Sequence, residues 1–125
     1  MHALARARLG DQARRVQFVE ADFQLSNWKA GLPKCHAIVT MQAVHELRHK
    51  QRAGSLYESI RELLHRDGIF LMCDHLVGDG GMTNTELYMT PEEHVLTLEA
   101  KGCVRVELLL RRGGMILYKA HNRAA

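Results

Sequence analysis

The stretch HELRH, residues 45–49, sets two histidines four apart with a glutamate between them. On one face of a helix that spacing can bind zinc and hold a general base beside it. A zinc hydrolase built on His45, Glu46 and His49 needs a third ligand. The extended form of the motif fails, because position 52 is Arg and position 55 is Ser, which leaves Glu58 or Glu62 further along as donors. Two other short stretches place chemistry at the end of apolar runs. Asp22 followed by Phe23 offers a carboxylate acceptor beside an aromatic face, the pairing that suits a purine whose exocyclic amine donates while its ring stacks. The alternative is that Asp22 caps the next turn and Phe23 is core. Asp74 and His75 close a third apolar run in the same way.

The elements that must position these residues can be read from periodicity. MHALARARLGDQARR has the composition of a helix, stopped at Gly10 and Asp11, and Val16, Phe18 and Val19 then read as a short strand ending at Asp22. A loop follows, punctuated by Gly31 and Pro33, with Trp28 expected to cap the core. CHAIVTM is a second strand, and its unbroken Ala37, Ile38 and Val39 suit a strand buried on both faces of a parallel sheet. From Val44 to His65 apolar residues recur at helical spacing, and Asp67 and Gly68 end that run. IFLMCD is the third strand, followed by a glycine-rich loop over 76–89. TPEEHVLTLEAKG is a helix with Thr90 as N-cap, Pro91 at its first position, Glu93 completing a capping box and Gly102 as the stop. VRVELLL and MILYKA flank RRGG and predict an antiparallel hairpin turning at Gly113 and Gly114.

This order predicts an α/β fold, a mainly parallel open sheet with a C-terminal antiparallel hairpin. Ligands in such sheets bind beyond the carboxyl ends of the strands, which here are Asp22 and Phe23, residues 40–45, and Asp74 and His75. The 125 residues suit one domain. With 46% hydrophobic and 25% charged residues the chain is expected to fold, and at a net charge of +3 the arginines Arg6, Arg8, Arg14 and Arg15 read as a solvated face rather than a nucleic-acid patch. Cys35, Cys73 and Cys103 are odd in number and far apart, so they suggest neither a disulfide framework nor a cysteine zinc site. A reducing, cytoplasmic setting fits. No apolar run reaches the roughly 20 residues of a membrane span, and the first ten residues have no apolar core like that of a secretory signal.

The phrases RVQFVEADF, HAIVTMQAVHEL, LYESIRELLHRDGIFLMCDHL and TPEEHVLTLEAKGCVRVELL with MILYKA resemble, in order, the C-terminal part of a class I S-adenosylmethionine-dependent methyltransferase, a Rossmann-like family. The resemblance implies S-adenosylmethionine as cofactor and a small-molecule methyl acceptor. It places the adenine at Asp22 and Phe23, the cofactor's methionine end at Thr40, Met41 and Gln42, and His45, Asp74 and His75 toward the substrate. His45 is then the first candidate base and His75 the second, the alternative being that both only line the pocket. AVHEL past the fourth strand of the family pattern explains His45 and Glu46 without zinc, so no metal is expected. The family's glycine-rich GxGxG loop and ribose-binding acid are not in this sequence, and VGDGG at residues 77–81 follows a late strand and opens no helix. The chain therefore reads as a single, N-terminally truncated, partial methyltransferase domain over residues 1–125. It is expected to associate as an oligomer or with a complementing chain, because the gap leaves either an exposed sheet edge at residues 37–40 or a rearranged pairing with residues 16–19. A non-catalytic methyltransferase-like subunit or remnant is one alternative; a zinc hydrolase using HELRH is the other.

Overall fold

A computed structural model describes residues 2–23, 25–44, 47, 49–78 and 80–123. Helix α1 (His2–Leu9) runs into a 3₁₀ turn (Gly10–Arg15), and neither buries a side chain. The alanines and leucines of α1 are too sparse for a full apolar stripe, and Leu4 stays exposed. Val16, Phe18 and Val19 are extended, but they join no sheet, which corrects the strand expected there. Val16 and Val19 are largely exposed, and Phe18 instead packs on α1, under the Arg6 guanidinium and beside His2.

The sheet has four strands in the order β1-β2-β4-β3: β1 (Cys35–Met41), β2 (Leu64–His75), β3 (Cys103–Arg112) and β4 (Met115–Asn122). β1 and β2 are parallel, as α2 (Ala53–Leu63) between them requires; β2 with β4 and β4 with β3 are antiparallel. This is the expected Rossmann-like α/β arrangement with its C-terminal hairpin, the described sheet holding one parallel pair and two antiparallel ones. Gly113 and Gly114 both take left-handed φ, 57° and 79°, as a two-residue hairpin turn demands. Residues at even positions of β2 and β4, among them Phe70, Met72, Ile116, Tyr118 and Ala120, are buried. Over them sit α2, through Leu56, Tyr57 and Ile60, and α3 (Pro91–Ala100), through His94 and Leu98. Trp28 packs against this core, as expected. The opposite face is partly exposed, and on β1 Val39 and Met41 are 64% and 70% exposed. β1 pairs only with β2 among the described strands, so of the two outcomes foreseen for the gap, the exposed edge is the one found.

The helix expected from Val44 to His65 is shorter. His49 is extended at φ −159° and ψ 131°, and its ring Nδ1 accepts the Gln51 N–H at 3.1 Å, capping a 3₁₀ turn (Lys50–Arg52) that leads into α2. At the other end α2 stops at Leu63 and β2 begins at Leu64, five residues before the strand read from the sequence. Residues 65–68 form an irregularity between the Cys35–Leu64 and Ala37–Ile69 pairings, with Asp67 at φ 58°. The buried Asn122 amide holds it by donating to the Leu64 and His65 carbonyls at 3.2 Å each.

The loop over 76–89 is bonded across its own base. Leu76 N–H donates to Gly114 of the hairpin turn at 2.9 Å, Val77 N–H to Met89, Gly78 N–H to Met82, and Met82 N–H back to Leu76. Glu86 accepts from Lys50 N–H at 2.9 Å, tying the loop to the start of α2. Capping of α3 is as the sequence predicts. Thr90 Oγ1 accepts from Glu93 N–H at 3.1 Å and the Glu93 carboxylate accepts from Thr90 N–H, with Gly102 at φ 95° beyond the last turn.

Candidate functional site

Two of the three strand exits lie side by side. The parallel register sets Met41 beside Cys73, and Gln42 N–H, at φ 55°, donates to the Cys73 carbonyl at 2.7 Å. Thr40, Met41 and Gln42 therefore adjoin Asp74 and His75 at one end of the sheet. Thr40 Oγ1 is buried there with no hydrogen-bond partner among the described residues. Strand alternation turns Asp74 into the helix-covered face, where it is 1% exposed, and leaves His75 half-buried on the other. The Asp74 carboxylate accepts the His75 N–H at 2.7 Å, and the His75 ring meets Tyr88 edge-on. A cavity of about 10 Å³, room for about one water, lies among Lys50, Asp74, His75, Tyr88 and His94.

The sequence reading missed the buried polar pair behind this cavity. Tyr57 Oη and His94 Nδ1 share a 3.0 Å hydrogen bond, and His94 Nε2 is buried with no partner among the described residues. Burial pushes the His94 pKa down to about 4 despite the opposing charges of Asp74 and Glu93. Burial also raises Tyr57 well above the usual phenol value, with Asp74, Cys103 and Tyr118 adding to it. Both groups are therefore neutral at pH 7. A signal was present: His94 and Leu98, four apart, are the two buried positions of α3, and a histidine on the apolar stripe of a helix calls for a polar partner.

Asp22 and Phe23 lie elsewhere, on an exposed loop, with the Phe23 ring edge-on to Trp28 at 5.1 Å. That loop and the outer side of α2 enclose a cleft of about 420 Å³ lined by Phe23, Trp28, Arg52, Ser55 and Glu58 among others. Its rim carries an ion pair between Lys29 and Glu62. Phe23 lines this cleft, whereas Asp22, Thr40, Met41, Gln42 and His75 do not. His45 and Glu46 fall outside the described residues. His49 lies ahead of the helix rather than on it, so the helical face on which a zinc pair was considered does not extend to its second histidine. Among the described residues no three His, Cys, Asp or Glu side chains sit together as a metal site, and no helix is long and apolar enough to cross a membrane.

Neither a protein-family model nor a curated protein sequence matches the chain. Solved structures do. An O-methyltransferase family protein from Burkholderia thailandensis superposes with a TM-score of 0.76 over 98% of this chain and 40% of its own, at 16% identity. PigF with SAH gives 0.71 over 97% and 40%, at 14% identity. This is the class I methyltransferase fold. The chain spans about 40% of the length of these two proteins. A structure described as the [4+2]-cyclase SpnF matches as well, with a TM-score of 0.72 over 98% of this chain and 62% of that one, at 16% identity. The methyltransferase fold therefore carries more than one chemistry, and the fold alone does not assign a reaction.

Proposed function

We propose that the chain is the C-terminal part of an S-adenosylmethionine-dependent methyltransferase acting on a small molecule. The observation that supports this best is the match of nearly the whole chain, in one continuous order of elements, to the methyltransferase fold. The donor set fits one flank of an adenosyl ligand. Asp22 is a surface carboxylate that accepts an amine, and Phe23 keeps 41% of its surface exposed for stacking. Thr40, Met41 and Gln42 would border the methionine end. The sulfonium of the cofactor supplies an already activated methyl group, so the protein's part is alignment and, for some acceptors, a base.

His75 is the described candidate for that base, and His45 the candidate beyond the described residues. His75 is fixed by its backbone bond to Asp74 and by Tyr88, which orient the imidazole at the strand exit. Calorimetry with S-adenosylhomocysteine tests the reading. A ligand that loses half its polar contacts loses several factors of ten in affinity, at about 1.4 kcal/mol for each factor. The isolated chain should bind weakly or not at all, and adding a polypeptide that carries a glycine-rich loop and ribose-binding acid should restore micromolar binding, lost again in Asp22→Ala. Restored binding indifferent to Asp22→Ala would refute the placement of the adenine. No binding in the complemented sample would refute the methyltransferase reading.

A further inference from the structure

We propose that β1 is a homodimer interface, on which a second copy of this chain pairs antiparallel, edge to edge, about a two-fold axis at Ile38. The proposal stands apart from the methyltransferase reading and rests on the strand itself. Edge strands that must stay single are guarded by charge, proline or a bulge. β1 has seven residues, Cys35 to Met41, with no Lys, Arg, Asp, Glu or Pro. Its side-chain row Ala37, Val39 and Met41 is exposed.

The backbone register is self-complementary. Gln42 N–H donates into β2, so even residues of this segment turn their amides and carbonyls toward β2, and Cys35, Ala37, Val39 and Met41 turn theirs outward. A second copy related by a two-fold axis at Ile38 sets Ala37 opposite Val39 and Cys35 opposite Met41, all outward-bonding positions, so each outward donor meets an outward acceptor. Ile38 meets its own copy, and His36 stands opposite Thr40 in a closely spaced pair. That placement offers an imidazole to Thr40 Oγ1, the buried hydroxyl with no partner among the described residues of the single chain. Edge pairing also leaves Lys119 and its cross-strand neighbour Glu107 in water, whereas packing the two open sheet faces together would bury them.

Sedimentation velocity of the full chain across a concentration series tests this, alongside two variants that act only outward. Val39→Pro removes an outward N–H and leaves the β1–β2 ladder intact. Val39→Lys sets two like charges near the axis, and it serves if the proline variant fails to fold by circular dichroism. The expected result is a dimer whose dissociation constant rises at least about tenfold in either variant. A register test uses Met41→Cys in a Cys73→Ser background. Oxidation should join Cys35 of one copy to the thiol introduced at position 41 of the other, since facing hydrogen-bonded pairs hold their Cα atoms about 5.5 Å apart, within disulfide reach. A monomer at all concentrations overturns the proposal. So does a dimer indifferent to both Val39 variants, a dimer that yields no disulfide between positions 35 and 41, or a chain that stays single until a different strand-bearing polypeptide is added.

Discussion

Acidification should unfold this protein through His94. The folded chain holds that imidazole neutral, its pKa lowered from 6.5 to about 4 by burial. As pH falls below 6.5 the unfolded chain takes up the proton first, so stability is lost progressively until about pH 4, where the folded state titrates too and the loss from this group ends. At about 1.4 kcal/mol per tenfold difference in proton affinity, the span from 6.5 to about 4 corresponds to about 3 kcal/mol. That is a large share of a small domain's stability. Removing the histidine alone would strand the Tyr57 hydroxyl, so the comparison protein is Tyr57→Phe with His94→Leu, which removes the bond as a pair. Urea unfolding of both proteins at pH 7, 6, 5 and 4 isolates the contribution of His94. His121, also lowered by burial and by Arg105 and Lys119, titrates in both and cancels. The difference in unfolding free energy should shift by about 3 kcal/mol in favour of the double variant between pH 7 and 4. Parallel pH profiles would show that burial of neutral His94 contributes nothing to acid sensitivity.

Thr90→Ala should lose about 1 kcal/mol, read as a lower thermal midpoint, because it breaks the reciprocal cap of α3. Gly114→Ala should cost about 1–3 kcal/mol, since its left-handed φ is strained for alanine and a Cβ there would stand 2.4 Å from the Gly80 carbonyl oxygen. Tyr118→Phe should cost about 1 kcal/mol in urea unfolding by removing the hydroxyl that donates to the Pro91 carbonyl at 3.0 Å. Zinc should not copurify in stoichiometric amount, because His49 caps a turn instead of facing His45 along a helix; one tightly held zinc, lost in His49→Ala by metal analysis, would overturn the placement of that histidine.

The parts of the fold legible in the sequence are those governed by local rules. Thr90, Pro91 and Glu93 specify the start of α3 whatever surrounds them, and Gly113 and Gly114 are positive-φ positions that only a tight turn needs. Val16 to Val19 show the limit of such rules, because apolar β-formers become a strand only when another strand offers them a ladder, and none of the described strands does. The early start of β2 was hidden for a similar reason. Leu64 and His65 continue a helical pattern, and it is the side-chain amide of Asn122, far along the chain, that bonds their carbonyls in an extended path. Of the candidate site, the strand-end residues could be read because apolar runs closed on polar residues. The Tyr57–His94 pair could not, because each lay among residues whose spacing already explained them as core.

The bonded base of the 76–89 loop bears on how this molecule could diversify. A segment clasped at Leu76, Val77, Met82, Glu86 and Met89 is not a free lid; its shape is inherited from the hairpin turn and the start of α2. Asn84 is committed too, its side chain accepting from the Glu86 and Leu87 amides. Thr83 and Thr85 are exposed positions between these bonds, so selection or a directed library can vary them at little structural cost. A change at Gly114, by contrast, would move the loop's whole base at once, making a distant turn residue a coarse control over a surface whose fine control lies at two threonines.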